Sequence, residues 1–381
     1  MEERLVIVHT ESSVGWGGQE IRVLTEAAEL RARGHEVAIL CRPESALALR
    51  ARGSGLPVIP ERMPFALDPR AVMRMAAHFR RWRARVVVTH SSIDSWCAGL
   101  AARLTRVPVV RMRHLSVPLR TNPLSRLVYG SLCDRIVTTG EAIRRQFIQR
   151  LGLPPAKVAS IPTGIDLGRF DPSRRDPMRL RQELGLEPQI PLVAMIGVLR
   201  SWKGHPVFLR AMGCIRAVRP EVQALLVGDG PFRPVIESAI RSQDLSDTVH
   251  LLGHREDIPE ILGGVDVVVS ASTAAEGIPQ ALLQALAMRC PVVASDVGGV
   301  PEIIQPGETG WLVPANDAGA LAKAILDVLA NRAKAWRMAE GGRTLVEEKH
   351  SLETMGAQME QLYRAVAKCR RTGSVVPLIC H

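Results

Sequence analysis

Aromatic residues are scarce in this 381-residue chain: two tyrosines, six phenylalanines and six tryptophans, 4% in all. A core of this size must then be built from Val, Leu, Ile and Ala, which favours aliphatic strands buried between helical layers. Few stacking rings and no recognisable RNA- or DNA-binding module argue against a nucleic-acid partner. The seven cysteines are odd in number, scattered, and never spaced as Cys-x-x-Cys. Neither a disulfide framework nor a zinc site is indicated, and buried or idle thiols in a reducing compartment are expected. No run approaches the roughly 18 apolar residues of a membrane span. Met1-Glu2-Glu3-Arg4 leads at once into the strand-like Leu5–Val8, without the apolar stretch of a signal peptide. The expected location is cytoplasmic, or peripheral on the inner face of the cytoplasmic membrane. Asp-x-Asp, which would hold Mg²⁺ on a diphosphate, is also absent, so no metal site is expected.

What is present is a basic chain of two halves. The formal net charge is +11. Residues 1–185 hold 30 Lys and Arg against 17 Asp and Glu, a net of +13, and the remainder carries −2. The first half therefore suits an anionic partner. Short β-branched runs alternate with helical patterns: Leu5–His9, Glu36–Cys41, Val86–Thr89, Val107–Met112, Arg135–Thr139 and Lys157–Pro162, with helices such as Ile21–Arg33 between them. Gly34 stands where a helix-terminating glycine belongs. A second series runs through Pro191–Leu199, Val222–Val227, Val249–Leu251, Val265–Val269 and Pro291–Ala294. This alternation predicts an α/β chain of two doubly wound, Rossmann-like domains. The expected division is 1–165, a proline-rich linker 166–190, 191–348, a helix 349–368 crossing back to the first domain, and a tail 369–381. Ligands of open α/β sheets bind at the carboxyl ends of the strands, here in a cleft between facing domains.

Several motifs follow those strand ends. Ser13-Val-Gly15-Trp-Gly17-Gly18-Gln-Glu20 is a glycine-rich strand-to-helix turn, suited to phosphate or simply to a tight turn. Glu20 replaces the third glycine of a dinucleotide fingerprint. Arg200 and Lys203 follow the first strand of the second series and could cradle a diphosphate. Gly228-Asp-Gly230-Pro lets backbone approach a ligand. Glu276-Gly277-Ile278-Pro279-Gln280 starts a helix, with Gln284 about two turns inside it. A carboxylate ahead of exposed backbone N–H groups and a polar residue within the helix can grip a sugar and its ribose. His114 follows a first-domain strand and is either structural or catalytic. Thr89-His90-Ser91-Ser92-Ile-Asp94 either receives a substrate or caps the next helix.

Together these segments resemble retaining glycosyltransferases of the GT-B fold, particularly family 4. Glu276 through Gln284 is similar to the family's Glu-x7-Glu motif, with Gln in place of the second Glu, which usually holds the donor ribose. Arg200 and Lys203 match its diphosphate-binding pair, and Gly17 and Gly18 its N-terminal glycine loop. Ile161-Pro-Thr163-Gly-Ile-Asp166 matches its hinge segment, with Thr163 for Asn, and Ser295–Glu302 the stretch after its last core strand. His114 corresponds to its active-site histidine, which contacts the transferred sugar. The resemblance spans nearly the whole chain, in order.

It implies transfer with retention from a UDP-, GDP- or ADP-sugar, with no cofactor. Glu276 would position sugar hydroxyls, and Gly228, Gly230, Gly277, Ile278, Pro279, Gln280 and Gln284 would line the donor site. His90, Ser91 and Asp94 are acceptor candidates. Arg70–Arg85 combines six arginines with Met73, Phe79 and Trp82, the pattern of either a basic membrane-surface helix or an ordinary outer helix. With Arg111, Arg113 and Arg120 it suggests a glycan or lipid-linked glycan acceptor on an anionic membrane, of the lipopolysaccharide-core or related surface-polysaccharide kind. A nucleotide-sugar epimerase on the same fold and a non-catalytic sugar-nucleotide binder are the competing readings.

Overall fold

The computed structural model describes residues 3–114, 119, 121–274 and 276–372. Arg120 and most of the tail from 369 lie outside them. The chain forms two units, one of Met1–Gly164 with Leu352–His381, the other Ile165–Ser351.

The first unit is built on β1 (Val6–Glu11), β2 (Glu36–Cys41), β3 (Val58–Pro60), β4 (Val86–Thr89), β5 (Val109–Arg113), β6 (Arg135–Thr138) and β7 (Val158–Ser160). They form one seven-stranded sheet in the order β3-β2-β1-β4-β5-β6-β7, every pair parallel. The alternation along β4 shows why: Val86 and Val88 pack with Val23, Ala27 and Leu30 on one face, and Val87 with Phe79, Cys97 and Ala101 on the other. Both faces being covered, the strands read as continuous aliphatic runs. Helix Pro69–Arg81 is opened by Asp68, whose side chain accepts from the Arg70 N–H, and by Pro69 in its first turn. It buries Ala71, Val72, Met75, Ala76 and Phe79 and leaves Arg70, Met73, Arg80 and Arg81 exposed. Arg111 does not join that basic surface; it is buried, with its guanidinium 4.3 Å from the Tyr129 ring centroid.

The second unit holds β8 (Leu192–Ile196), β9 (Gln223–Val227), β10 (Val249–Gly253), β11 (Val267–Ser270), β12 (Val292–Ser295) and β13 (Trp311–Val313), in the order β10-β9-β8-β11-β12-β13, also parallel throughout. The proline-rich stretch 166–190 is packed into this unit. Phe170 and Leu180 are buried with Ile261 and Leu262, and Arg181 donates to Asp266 at 2.8 Å. The short edge strands β3 and β13, three residues each, have no counterpart in the expected set, whereas the equally short β7 falls within the expected Lys157–Pro162. The C-terminal helix Leu352–Thr372 lies in the first unit against helix Gly18–Ala32. Tyr363 is buried there and its hydroxyl donates to Glu26.

Candidate functional site

Strand order reverses once in each sheet, between β1 and β4 in the first and between β8 and β11 in the second. Loops leaving such a pair diverge to opposite faces and open a crevice at the carboxyl ends. The sequence motifs fall at these two points.

In the second unit, β8 runs into a single turn, Ser201–Lys203, closed by Gly204. β11 runs into Ala271-Ser272-Thr273 and then Glu276. Glu276 is buried, and its Oε1 accepts from the Ser272 hydroxyl at 2.9 Å and meets Lys203 Nζ at 2.6 Å. Gly204 makes this pairing possible. Its φ is +78°, and a Cβ there would lie 1.7 Å from the Ala271 carbonyl oxygen. The two loops are further tied by Thr273 N–H donating to the Trp202 carbonyl at 2.8 Å. Behind Glu276, a Cβ on Gly298 would stand 2.0 Å from the Glu276 carbonyl oxygen. Gly228 and Gly230 close in the same way on the backbone of Gly197 and Leu199.

Arg200 is exposed, its guanidinium 5.8 Å from the Trp202 ring centroid. Helix Gln280–Ala287 is preceded by Gly277, Ile278 and Pro279, all buried, with Pro279 at the N-cap. The helix starts beside Pro279, as expected, but Gln284 is its fifth residue and lies just over one turn inside rather than two, because the residues from Glu276 to Pro279 are not helical. Gln284 is half-buried. An ammonium has three donors, so Lys203 can hold Glu276 and still meet a phosphate. Ser272 was missed in the sequence, and Gly298 was noted only as part of the stretch Ser295–Glu302, since nothing marks either as a neighbour of Glu276.

In the first unit, Glu11 ends β1 and is fully buried. It accepts from Ser13 N–H at 2.8 Å and Gln19 Nε2 at 2.6 Å, and so pins the glycine-rich turn that leads through Gly17 into helix Gly18–Ala32. Burial, with the neighbouring Asp94 charge, pushes Glu11 up to about 8. Asp94 is also buried and raised by desolvation. It caps helix Ser92–Thr105, accepting from Ser91 N–H at 2.9 Å and His90 N–H at 2.8 Å. Of the two roles weighed for this cluster, capping is therefore occupied. His90 is buried and both its ring nitrogens are engaged, Nε2 with His9 Nδ1 and Nδ1 with His114 Nε2, each at 3.0 Å. No ring nitrogen is left for an acceptor hydroxyl while that arrangement stands. His114, half-buried, is the outer member. His9, which the sequence reading passed over, is the inner one. Burial pushes Cys41, Cys133 and Cys290 up to about 11, which makes them inert as thiolates.

Family profiles match both units: "Glycosyltransferase Family 4" over residues 16–169 and "Glycosyl transferases group 1" over 190–331. The chain belongs to the family 4 (group 1) glycosyltransferases, and its fold is GT-B. Among curated relatives, the alpha-D-kanosaminyltransferase of Streptomyces kanamyceticus is 33% identical over 77% of this chain and 81% of its own length. A GDP-mannose-dependent monoacylated alpha-(1-6)-phosphatidylinositol monomannoside mannosyltransferase of Corynebacterium glutamicum is 29% identical, over 62% of this chain and 63% of its own. The solved structure of Anabaena Alr3699/HepE in complex with UDP and glucose superposes with a TM-score of 0.84 at 21% identity, covering 95% of this chain and all of that one. No helix among the described residues is long and apolar enough to cross a membrane.

Proposed function

We propose that this glycosyltransferase moves a hexosyl group, with retention and without a metal, from a nucleoside diphosphate sugar to a glycan or lipid-linked glycan. The observation that carries the reading is the Lys203–Glu276 pair at the β8/β11 switch point, a fixed cation beside a fixed carboxylate. Glu276, held by Ser272 and Lys203, offers an oxygen to sugar hydroxyls. Lys203 and Arg200 stabilise the charge that grows on the leaving phosphate, usually a large term in catalysis. The anomeric carbon–oxygen bond to the diphosphate breaks as the acceptor oxygen bonds to the same face, and the leaving phosphate takes the acceptor proton. His114 contacts the transferred sugar. The names of the relatives fit a nucleoside diphosphate donor, one specifying GDP-mannose and one structure holding UDP.

The acceptor side follows from the exposed face of helix Pro69–Arg81. Arg70, Arg80 and Arg81 lie there with Met73, and the preceding loop exposes Phe65 and Leu67. Cations interleaved with exposed apolar side chains suit an anionic bilayer surface, where a lipopolysaccharide-core or related surface glycolipid would be met from the cytoplasmic side. Absence of sedimentation with anionic vesicles at low salt would remove this part.

The donor is tested by thermal shift with UDP, GDP, ADP and their sugar conjugates, with and without EDTA. A ligand at 100 times its Kd adds roughly 2.7 kcal/mol of stability. One base raising the melting temperature regardless of EDTA is the expected result. No shift with any of them would overturn the assignment.

A further inference from the structure

His114 is the last of three linked imidazoles. His9 lies in β1, His90 just after β4 and His114 just after β5. Both ring-to-ring contacts are 3.0 Å between nitrogens. The ring centroids are 5.3 Å apart in each pair and the planes differ by 24° and 20°. The rings therefore meet edge to edge, nitrogen facing nitrogen, instead of overlapping face to face.

Burial keeps all three neutral. It lowers His9 and His90, and with the charges of Arg22 and Arg113 it pushes His114 down to about 3. A neutral imidazole has one N–H and one lone pair, and each contact needs one of each. Three rings and two contacts then admit only two proton arrangements. Either every ring is protonated on Nδ1, or every ring is protonated on Nε2. In the first, His114 accepts from His90 and turns an Nδ1–H outward. In the second it donates to His90 and turns out a bare nitrogen.

The inner end decides between them. Nε2 of His9 is buried and has no protein partner, and neither has Nη2 of Arg22, an atom with only donors to offer. The other donors of Arg22 are engaged: Nε with Glu26 at 2.8 Å, and Nη1 with the Pro162 carbonyl at 2.6 Å. Glu26 in turn has its second oxygen held by the Tyr363 hydroxyl. Its charge is thus matched by Arg22 and each of its oxygens already accepts a hydrogen bond, so the group left wholly without a partner is a guanidinium N–H. It favours a lone pair on His9 Nε2, and N–H dipoles pointing away from it along the chain. We propose that His9 and His90 are positioning residues that hold His114 in its Nδ1–H tautomer, as a hydrogen-bond donor to an oxygen of the transferred sugar. This rests on the reading of His114 as the active-site histidine.

The test is long-range ¹H–¹⁵N correlation on the full chain labelled with ¹⁵N-histidine at pH 7, with signals assigned by single substitutions. All three rings are expected as Nδ1–H. In His9→Leu, His90 loses its donor and His114 shifts to Nε2–H or to a mixture; in His9→Asn, whose amide N–H replaces Nδ1–H, the wild-type tautomer returns. An Nε2–H ring among the three in the wild type, or a His114 unmoved by His9→Leu, would overturn the inference. Should His9→Leu not fold, the wild-type spectrum and His9→Asn still decide. Failure of nucleotides to shift the melt would sink the donor assignment while leaving the tautomer result standing. Nucleotide binding with His114 as Nε2–H would do the reverse.

Discussion

The two switch points are built by different means. In the second unit the site is a matter of backbone. Gly204 and Gly298 let the Ala271 and Glu276 carbonyl oxygens come where a Cβ would otherwise stand, and the Lys203–Glu276 pair follows from that closeness. In the first unit the equivalent position is filled by side chains: Glu11 and Asp94, and the imidazoles of His9, His90 and His114, all hydrogen-bonded at the strand ends. A diphosphate is large and charged, and suits fixed loops with a lysine at their edge. A tautomer needs a dry, pre-oriented set of partners, and buried side chains supply it. The same sheet topology thus serves two kinds of preorganisation.

The comparison is tested first on charge. Lys203→Ala should lower the turnover number by roughly 10²–10³, the cost of losing a donor at a developing oxyanion, and Arg200→Ala should do likewise; near-normal turnover in both would mean that the second unit does not do the chemistry. Next comes backbone. Gly204→Ala forces a Cβ onto the Ala271 carbonyl at positive φ, so overpacking and strain together should cost about 2–4 kcal/mol in urea unfolding. A change below about 1 kcal/mol would show that the loops are not held by close approach.

The first unit should answer to pH. Glu11 is raised to about 8 from an ordinary 4.5 by burial and Asp94. Its contribution to stability is therefore complete below 4.5 and fades as pH rises through 8. Glu11→Gln removes that titration, so the variant should gain on the wild type in melting temperature between pH 5 and pH 9. Parallel profiles would mean that Glu11 is ionised in the folded protein. The smallest effect is expected at Gly15, where an added Cβ would find only the Ser13 hydroxyl at 3.8 Å. Gly15→Ala should stay within about 0.5 kcal/mol, in contrast with Gly204→Ala.

Much of this was legible beforehand. Aliphatic runs covered on both faces announced the parallel strands, and Gly34, with φ +92°, ends its helix as its position suggested. Glu276, Arg200, Lys203 and His114 were singled out because each was expected to follow a strand, and each does follow one. β3 and β13, three residues each at a sheet edge, were not read; β7, equally short and also at an edge, was, because it lies inside the longer run Lys157–Pro162. The stretch 166–190 looked like a linker because its prolines and arginines are loud, whereas the few buried groups that dock it, Phe170, Leu180 and Arg181, are quiet.

What the sequence determined by itself was local: which segments extend, which coil, where glycine or a cap must stand, and which charged residues lie at strand ends. These depend on neighbours a few positions away, and such neighbours are written in order. Only the tertiary structure decided that Lys203 meets Glu276, that Asp94 caps a helix while burial and the Asp94 charge push the neighbouring Glu11 up, and that His9 stands behind His90 and His114. Those pairings join residues brought together by strand order. His9 and His90 are 81 positions apart, and no periodicity reaches that far.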